Sequence, residues 1–286
     1  MINVMQKKNA ISKEFCKKIL GDKMAQKSKF AQLATEKTNT KVENISLKRA
    51  PNKISSPIRA MTAGFIITVV YMLISKGKTQ IPALIVDGKT IYNFDAFMTG
   101  TFFTFALYSV IRADLELATS NMAFSSYALY NREIKVVSYI KLIVGTLIYN
   151  FIGALFASLL IKMSGVATPG MLDNLHHLAE VKAELTPGKI FASAIFANFF
   201  ICLAVVMYLE STNDFGRIFS LFTGVFIFGF MGFEHVVANG ALFIFDLVNS
   251  PAGFDNILGF AKNIFFAFFG NLIGGGILIG VTQAAI

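Results

Sequence analysis

The sequence predicts an all-α polytopic membrane protein, with six transmembrane helices in two inverted three-helix repeats and breaks in helices 2 and 5. Three observations predict it. The 286 residues are 55% hydrophobic and only 15% charged, whereas soluble domains average about 25% charged residues. The apolar residues gather in runs approaching the roughly 20 residues a helix needs to cross a bilayer. Polar groups interrupt two of those runs, at related positions in the two halves of the chain.

The elements follow in order. Residues 1–56 form a polar arm in which Phe15, Ile19 and Leu20 mark one short amphipathic helix, suited to a membrane surface. Residues 1–59 carry 14 Lys/Arg against 4 Asp/Glu, and the rest of the chain 12 against 13, so the net +9 belongs to the arm. A basic arm beside the first span argues for a cytoplasmic N-terminus and for contact with anionic lipid, at about 1 kcal/mol per basic residue. Such an arm has a sufficient explanation at the membrane, so nucleic acid is not an expected partner. No cleavable signal peptide is expected, because the first apolar run starts only after residue 57. Cys16 lies in the arm and Cys202 in an apolar span, so no disulfide is expected.

A linker runs from Ala50-Pro51 to Ser56-Pro57, and the six-span transmembrane domain is expected over residues 57–286. The first span covers about Ile58–Ile74, and residues 75–92, with Gly77, Pro82 and Asp87-Gly88, read as a turn-rich connection. The second span starts near Asn93. Arg112, Asp114 and Glu116 put three charges within five residues, too many for continuous lipid-facing helix. A nonhelical loop near residues 113–120 is therefore expected, with helix resuming to Tyr130. The third span is about Val136–Ile161, closing repeat one at about 162. Residues 162–188 read as a loop carrying His176, His177, Glu180, Lys182 and Glu184. Repeat two, about 188–286, opens with a span over Lys189–Leu209. The fifth span begins near Arg217 and breaks at Glu234-His235, and a Gly-rich sixth covers about Ile257–Gln283. Three spans per half invert the second half relative to the first. Six place both termini on one side, the cytoplasmic face of the plasma (inner) membrane.

The interruptions match. Glu116-Leu-Ala-Thr-Ser-Asn121 and Glu234-His-Val-Val-Ala-Asn239 both begin with Glu and end with Asn. One span later, Asn150-Phe-Ile-Gly153 answers Asn271-Leu-Ile-Gly274. Paired polar interruptions in two halves point to a pathway at the repeat interface.

These residues carry a family resemblance. Gly232-Phe-Glu-His-Val-Val-Ala-Asn239 resembles the GFEHxxAN signature of the formate/nitrite transporter family. Asn198-Phe-Phe-Ile-Cys-Leu-Ala-Val205, Leu115-Glu-Leu-Ala-Thr-Ser-Asn121 and Gly270-Asn-Leu-Ile-Gly-Gly275 are similar to three further stretches of it, in family order. The resemblance covers roughly residues 57–284. It implies aquaporin-like protomers in a homopentamer, each with its own pore for a small monovalent anion: formate, nitrite, hydrosulfide or, in some members, lactate. It implies that His235 is the central pore histidine, with Thr119 opposite it, that Asn198 and Glu234 hold the histidine region, and that Lys182 is a vestibule lysine. Two positions depart from the family. Ala118 stands where a pore-closing Phe is usual, and Gly240 where Met is frequent. Leu107, Phe199 and Phe230 are candidates for apolar constriction walls beside Ala118.

Residue chemistry leaves alternatives beside these roles. His235 reads either as an interhelical hydrogen-bonding residue or as a pore group able to donate a proton near neutral pH. Glu116 and Glu234 have the wrong sign for an anion site and read as structural acceptors, with Asn121 and Asn239 as supporting interhelical polar groups. Lys182 is either a solvated charge or an attractor for anions. His176 and His177 lack the partners of a metal site, and no cofactor or metal is expected. No HExxH, nucleophile motif or phosphate loop supports an enzyme. A channel is the first reading and a proton-coupled carrier the second; a membrane enzyme or nontransporting receptor remains behind both.

Overall fold

The computed structural model describes residues 28–36, 55–81, 84–87, 89–92 and 94–286. The expected helix around Phe15, Ile19 and Leu20, Cys16, and the Pro51 end of the linker lie outside these residues. A short helix, α1, spans residues 29–36. It packs on the membrane body through Phe30, which stacks on Phe124 at 4.9 Å and whose N–H donates to Glu210 Oε1 at 3.1 Å.

Helix α2 (Ser55–Gln80) has 26 residues, about 39 Å at 1.5 Å per residue. It starts within the expected linker, where Pro57 suits the first turn of a helix, and ends six residues beyond the expected span. The connection after it holds an antiparallel hairpin, β1 (Leu84–Val86) with β2 (Lys89–Tyr92). Helices α3 (Asp95–Arg112) and α4 (Ala118–Tyr130) follow, then α5 (Val136–Ser164). Next come α6 (Pro169–Glu184), α7 (Pro187–Glu210), α8 (Asp214–Phe230) and α9 (Val236–Asn249). A 3₁₀ turn over Pro251–Asn256 leads into α10 (Ile257–Asn271), which continues through a π-helical stretch, Leu272–Val281, to a last α-helical turn, α11 (Thr282–Ala285). Among the described residues, four helical segments are long and apolar enough to cross a membrane: α2, α5, α7 and the helical stretch from Pro251 to Ala285. The remaining apolar sequence is split between α3 and α4 and between α8 and α9.

One expectation is corrected. Residues 169–184 are a helix, not a loop. Pro169 opens it, and Met171, Leu175, Ala179, Lys182 and Ala183 are buried along one face, at the spacing of an amphipathic helix. Ser75 Oγ ties it to α2 by donating to Met171 O at 2.8 Å.

The two breaks are built alike. Each first half-helix ends with a residue of positive φ, Asp114 at 50° and Gly232 at 66°. In each the next N–H reaches back five residues, Leu115 to Val110 O and Phe233 to Phe228 O, the closing bond of a Schellman motif. The first break is therefore shorter than expected, and Thr119 lies in the first turn of α4. Around the breaks the pairings also correspond. Helix α2 packs on α5 as α7 packs on α10, α4 packs on the π stretch as α9 packs on α5, and α3 meets α8. Close approach is needed at Gly153, where a Cβ would stand 1.8 Å from Met61 O, and at Gly274, where it would stand 2.1 Å from Ile195 O.

Candidate functional site

His235 is the N-cap of α9. Its extended backbone turns the chain into the half-helix, and Nδ1 accepts the N–H of Ala238 at 3.2 Å. An accepting Nδ1 leaves the proton of a neutral imidazole on Nε2, so that atom is a donor. Nε2 is buried and has no hydrogen-bond partner. Among the described residues, the imidazole is the one ionisable side chain in the wall of a small chamber, otherwise lined by apolar groups such as Ile67, Leu107, Val110, Leu117 and Val225. A buried donor left unmatched costs about 1–3 kcal/mol.

Beyond the chamber lies a wider vestibule of about 960 Å³, which Tyr71, Lys78, Asp95, Lys182, Phe230 and Glu234 help to line. Phe103 and Phe228 belong to both spaces. Their rings meet edge to face at 5.4 Å, and Phe228 meets the His235 ring at 5.5 Å. These two phenylalanines form the waist between the spaces.

The vestibule floor is a closed polar network. Glu234 Oε1 accepts from Lys182 Nζ, and Oε2 accepts from Asn239 Nδ2 at 2.7 Å and Asn263 Nδ2 at 2.8 Å. Asn263 Nδ2 also donates to Lys182 O, and Asn263 Oδ1 accepts from Asn239. The Glu234 N–H donates to Ser193 Oγ at 3.1 Å. A buried ion pair is tolerated when its remaining hydrogen-bonding capacity is met in this way. Lys182 is therefore a buried, paired cation whose charge cancels that of Glu234.

Thr119 is fully buried and its Oγ1 has no hydrogen-bond partner, while its carbonyl accepts from Asn198 Nδ2 at 3.2 Å. Asn198 also donates to Asn271 O at 2.9 Å, so it links α7 to both α4 and α10. Glu116 and Asn121 are buried at the first break, and Asn121 Nδ2 donates to Thr146 Oγ1 at 3.0 Å.

The expected constriction residues divide. Leu107 lines the chamber, and Phe230 lines the vestibule while stacking on Phe226 at 5.4 Å. Ala118 is fully buried and lines neither space; its N–H donates to Asn150 Oδ1. Phe199 also lies off both, edge-on to Phe200 at 5.4 Å. Gly240 faces Phe151 in an apolar groove away from the chamber. Sequence reasoning missed Tyr71, Phe103, Phe228 and Asn263. Phe103 stood one helical turn before Leu107, the spacing of one face, and Asn263 was a polar residue inside an apolar span. Nothing in the sequence set Phe228 apart from its neighbours.

The family model described as "Formate/nitrite transporter" matches residues 29–285, and so extends further into the arm than the sequence motifs did. The chain is similar to "Formate channel BtFdhC" of Bacillus thuringiensis, 32% identical over 187 residues, which cover 65% of this chain and 71% of that one. It is also similar to the "Formate-nitrite transporter" of Plasmodium falciparum (isolate 3D7), 29% identical over 198 residues; the match covers 66% of this chain and spans only 63% of the Plasmodium protein. Among solved structures it shares the fold of an "FNT family ion channel" at TM-score 0.75 and 19% identity, over 88% of this chain and 96% of that one. A "Pentameric formate channel with formate bound" aligns at TM-score 0.63 and 20% identity, over 82% and 97%.

Proposed function

The chain belongs to the formate/nitrite transporter family, and from that premise we propose that it passes small monovalent anions, formate or nitrite foremost and hydrosulfide as a third, through a pore in each protomer. The observation that carries this reading is the buried, unpartnered Nε2 of His235 in an otherwise apolar chamber behind a phenylalanine waist. A bare anion would lose its hydration there at a cost of many kcal/mol. A neutral acid would not. The pathway runs from the vestibule through the waist to His235, where the substrate accepts a hydrogen bond from the Nε2–H, the proton that neutralises it coming from the water of the vestibule; Thr119, with its buried and unpartnered Oγ1, is the second polar group of the pore. The apolar waist favours the neutral species, so a proton accompanies the anion, as in a carrier of the same anions or of lactate.

The assembly is a homopentamer in the plasma membrane, with six passes in two inverted halves and both termini cytoplasmic. The fold is shared with a pentameric formate channel, the arm is basic, and the protomer's outer faces expose large apolar side chains such as Phe105, Val137, Phe156 and Leu258, suited to lipid or neighbouring protomers. Stopped-flow uptake of formate, nitrite and hydrosulfide into proteoliposomes tests the function. Saturable or pH-dependent uptake above protein-free vesicles is expected. No uptake of any of the three would favour a receptor or an enzyme.

A further inference from the structure

We propose that the Tyr71 hydroxyl selects among anions at the outer face of the waist, favouring two-oxygen anions such as carboxylates and nitrite over hydrosulfide. The inference rests on the pore reading above and adds to it a specificity residue that the sequence motifs do not touch. Tyr71 comes from α2, the first membrane-length helix. Its ring packs edge to face on Phe103 at 5.2 Å, outside the Phe103–Phe228 pair. The apolar body of the side chain thus completes the wall of the waist. Tyr71 lines the vestibule together with Lys182 and Glu234, but not the inner chamber.

The residue is almost wholly buried. Buried tyrosine hydroxyls usually find a hydrogen-bond partner. The Tyr71 hydroxyl makes no hydrogen bond among the described residues, and its oxygen is not wholly sealed in by its neighbours. Its location leaves the vestibule as the place for its partner. The neighbouring cations are already engaged: Lys182 on Glu234, and Lys78 on Asp95 at 3.3 Å. Tyr71 is therefore an uncommitted donor at the threshold where an anion must give up water to enter the waist.

A carboxylate or nitrite offers a compact oxygen acceptor to a phenol O–H. Hydrosulfide offers a large, diffuse sulfur, a weak acceptor. A hydrogen bond made at the threshold therefore helps the first class and does little for the second.

Tyr71→Phe keeps the ring, and with it the contact on Phe103, and removes only the hydroxyl. In proteoliposomes that carry wild-type protein active on both substrates, the variant should lower formate uptake about tenfold, as loss of one hydrogen bond to a charged group implies. Hydrosulfide uptake should fall less than twofold, so the ratio of the two shifts. Equal reduction of both would assign Tyr71 a purely structural role, and an unchanged ratio at wild-type rates would remove it from selection; either overturns the inference. Wild-type protein inactive on both substrates would instead overturn the pore reading beneath it.

Discussion

Asn150 and Asn271 make the same three hydrogen bonds, 121 positions apart. Asn150 Oδ1 accepts the N–H of Ala118 at 3.1 Å, and Nδ2 donates to Ala60 O and Glu116 O, each at 2.8 Å. Asn271 Oδ1 accepts the N–H of Val236 at 2.8 Å, and Nδ2 donates to Ala194 O at 2.7 Å and Glu234 O at 3.1 Å. Each side chain ties the start of the second half-helix to the break before it and to the first helix of its own half. Broken helices leave backbone groups that lipid cannot satisfy. These two amides supply the missing partners, one at each break.

Asn150→Ala and Asn271→Ala should destabilise the protein comparably, since each strands the N–H that opens a half-helix and removes the partner of a break carbonyl, Glu116 O or Glu234 O, at about 1–3 kcal/mol apiece, while Ala60 O and Ala194 O keep their intrahelical partners. Thermal unfolding in detergent checks this. A large loss for one variant and none for the other would mean that the two breaks are not held alike.

Lys182→Ala should cost about 3–5 kcal/mol, because it leaves Glu234 charged and buried without its cation. Adding Glu234→Gln should recover much of that loss, the amide oxygen still serving Asn239 or Asn263 as acceptor. A double-mutant cycle on unfolding midpoints measures the coupling; additive losses would show that the pair contributes little.

Phe103→Ala should widen the waist and raise uptake of larger carboxylates such as lactate relative to formate. Ala118→Phe should instead lower stability by about 1–3 kcal/mol through overpacking, with uptake of all anions falling together. Uptake ratios and unfolding midpoints of the two variants distinguish these outcomes. Selective loss of larger anions in Ala118→Phe would return that position to the constriction.

The framework was legible wherever chemistry stood out against lipid-grade sequence. Glu116, Asn150, Glu234 and Asn271 marked both breaks and their supports because polar residues are rare at that depth. The constriction was not legible in the same way. Phe103 and Phe228 are two of 30 phenylalanines, and only tertiary packing brings their rings together. Ala118 enters the constriction set through the family resemblance, as the usually aromatic position just before Thr119. In the first turn of α4, however, neighbouring residues point about 100° apart, so adjacency does not place them on one wall. The charges of residues 162–188 masked the helical periodicity of α6, and with it the burial of Lys182 against Glu234.

The central claim is that the Nε2–H of His235 meets the permeating substrate. His235→Asn tests it most directly, because Asn is a strong N-cap and keeps the acceptor for the Ala238 N–H while withdrawing the donor from the chamber. Formate uptake by the reconstituted protein, measured across external pH for wild type and variant, is the decisive measurement. The account predicts uptake that rises as pH falls in the wild type, and in the variant a loss of at least tenfold with a flattened pH profile while the oligomer stays intact. Wild-type rates with an unchanged pH profile in His235→Asn would contradict it and leave the histidine as a helix cap.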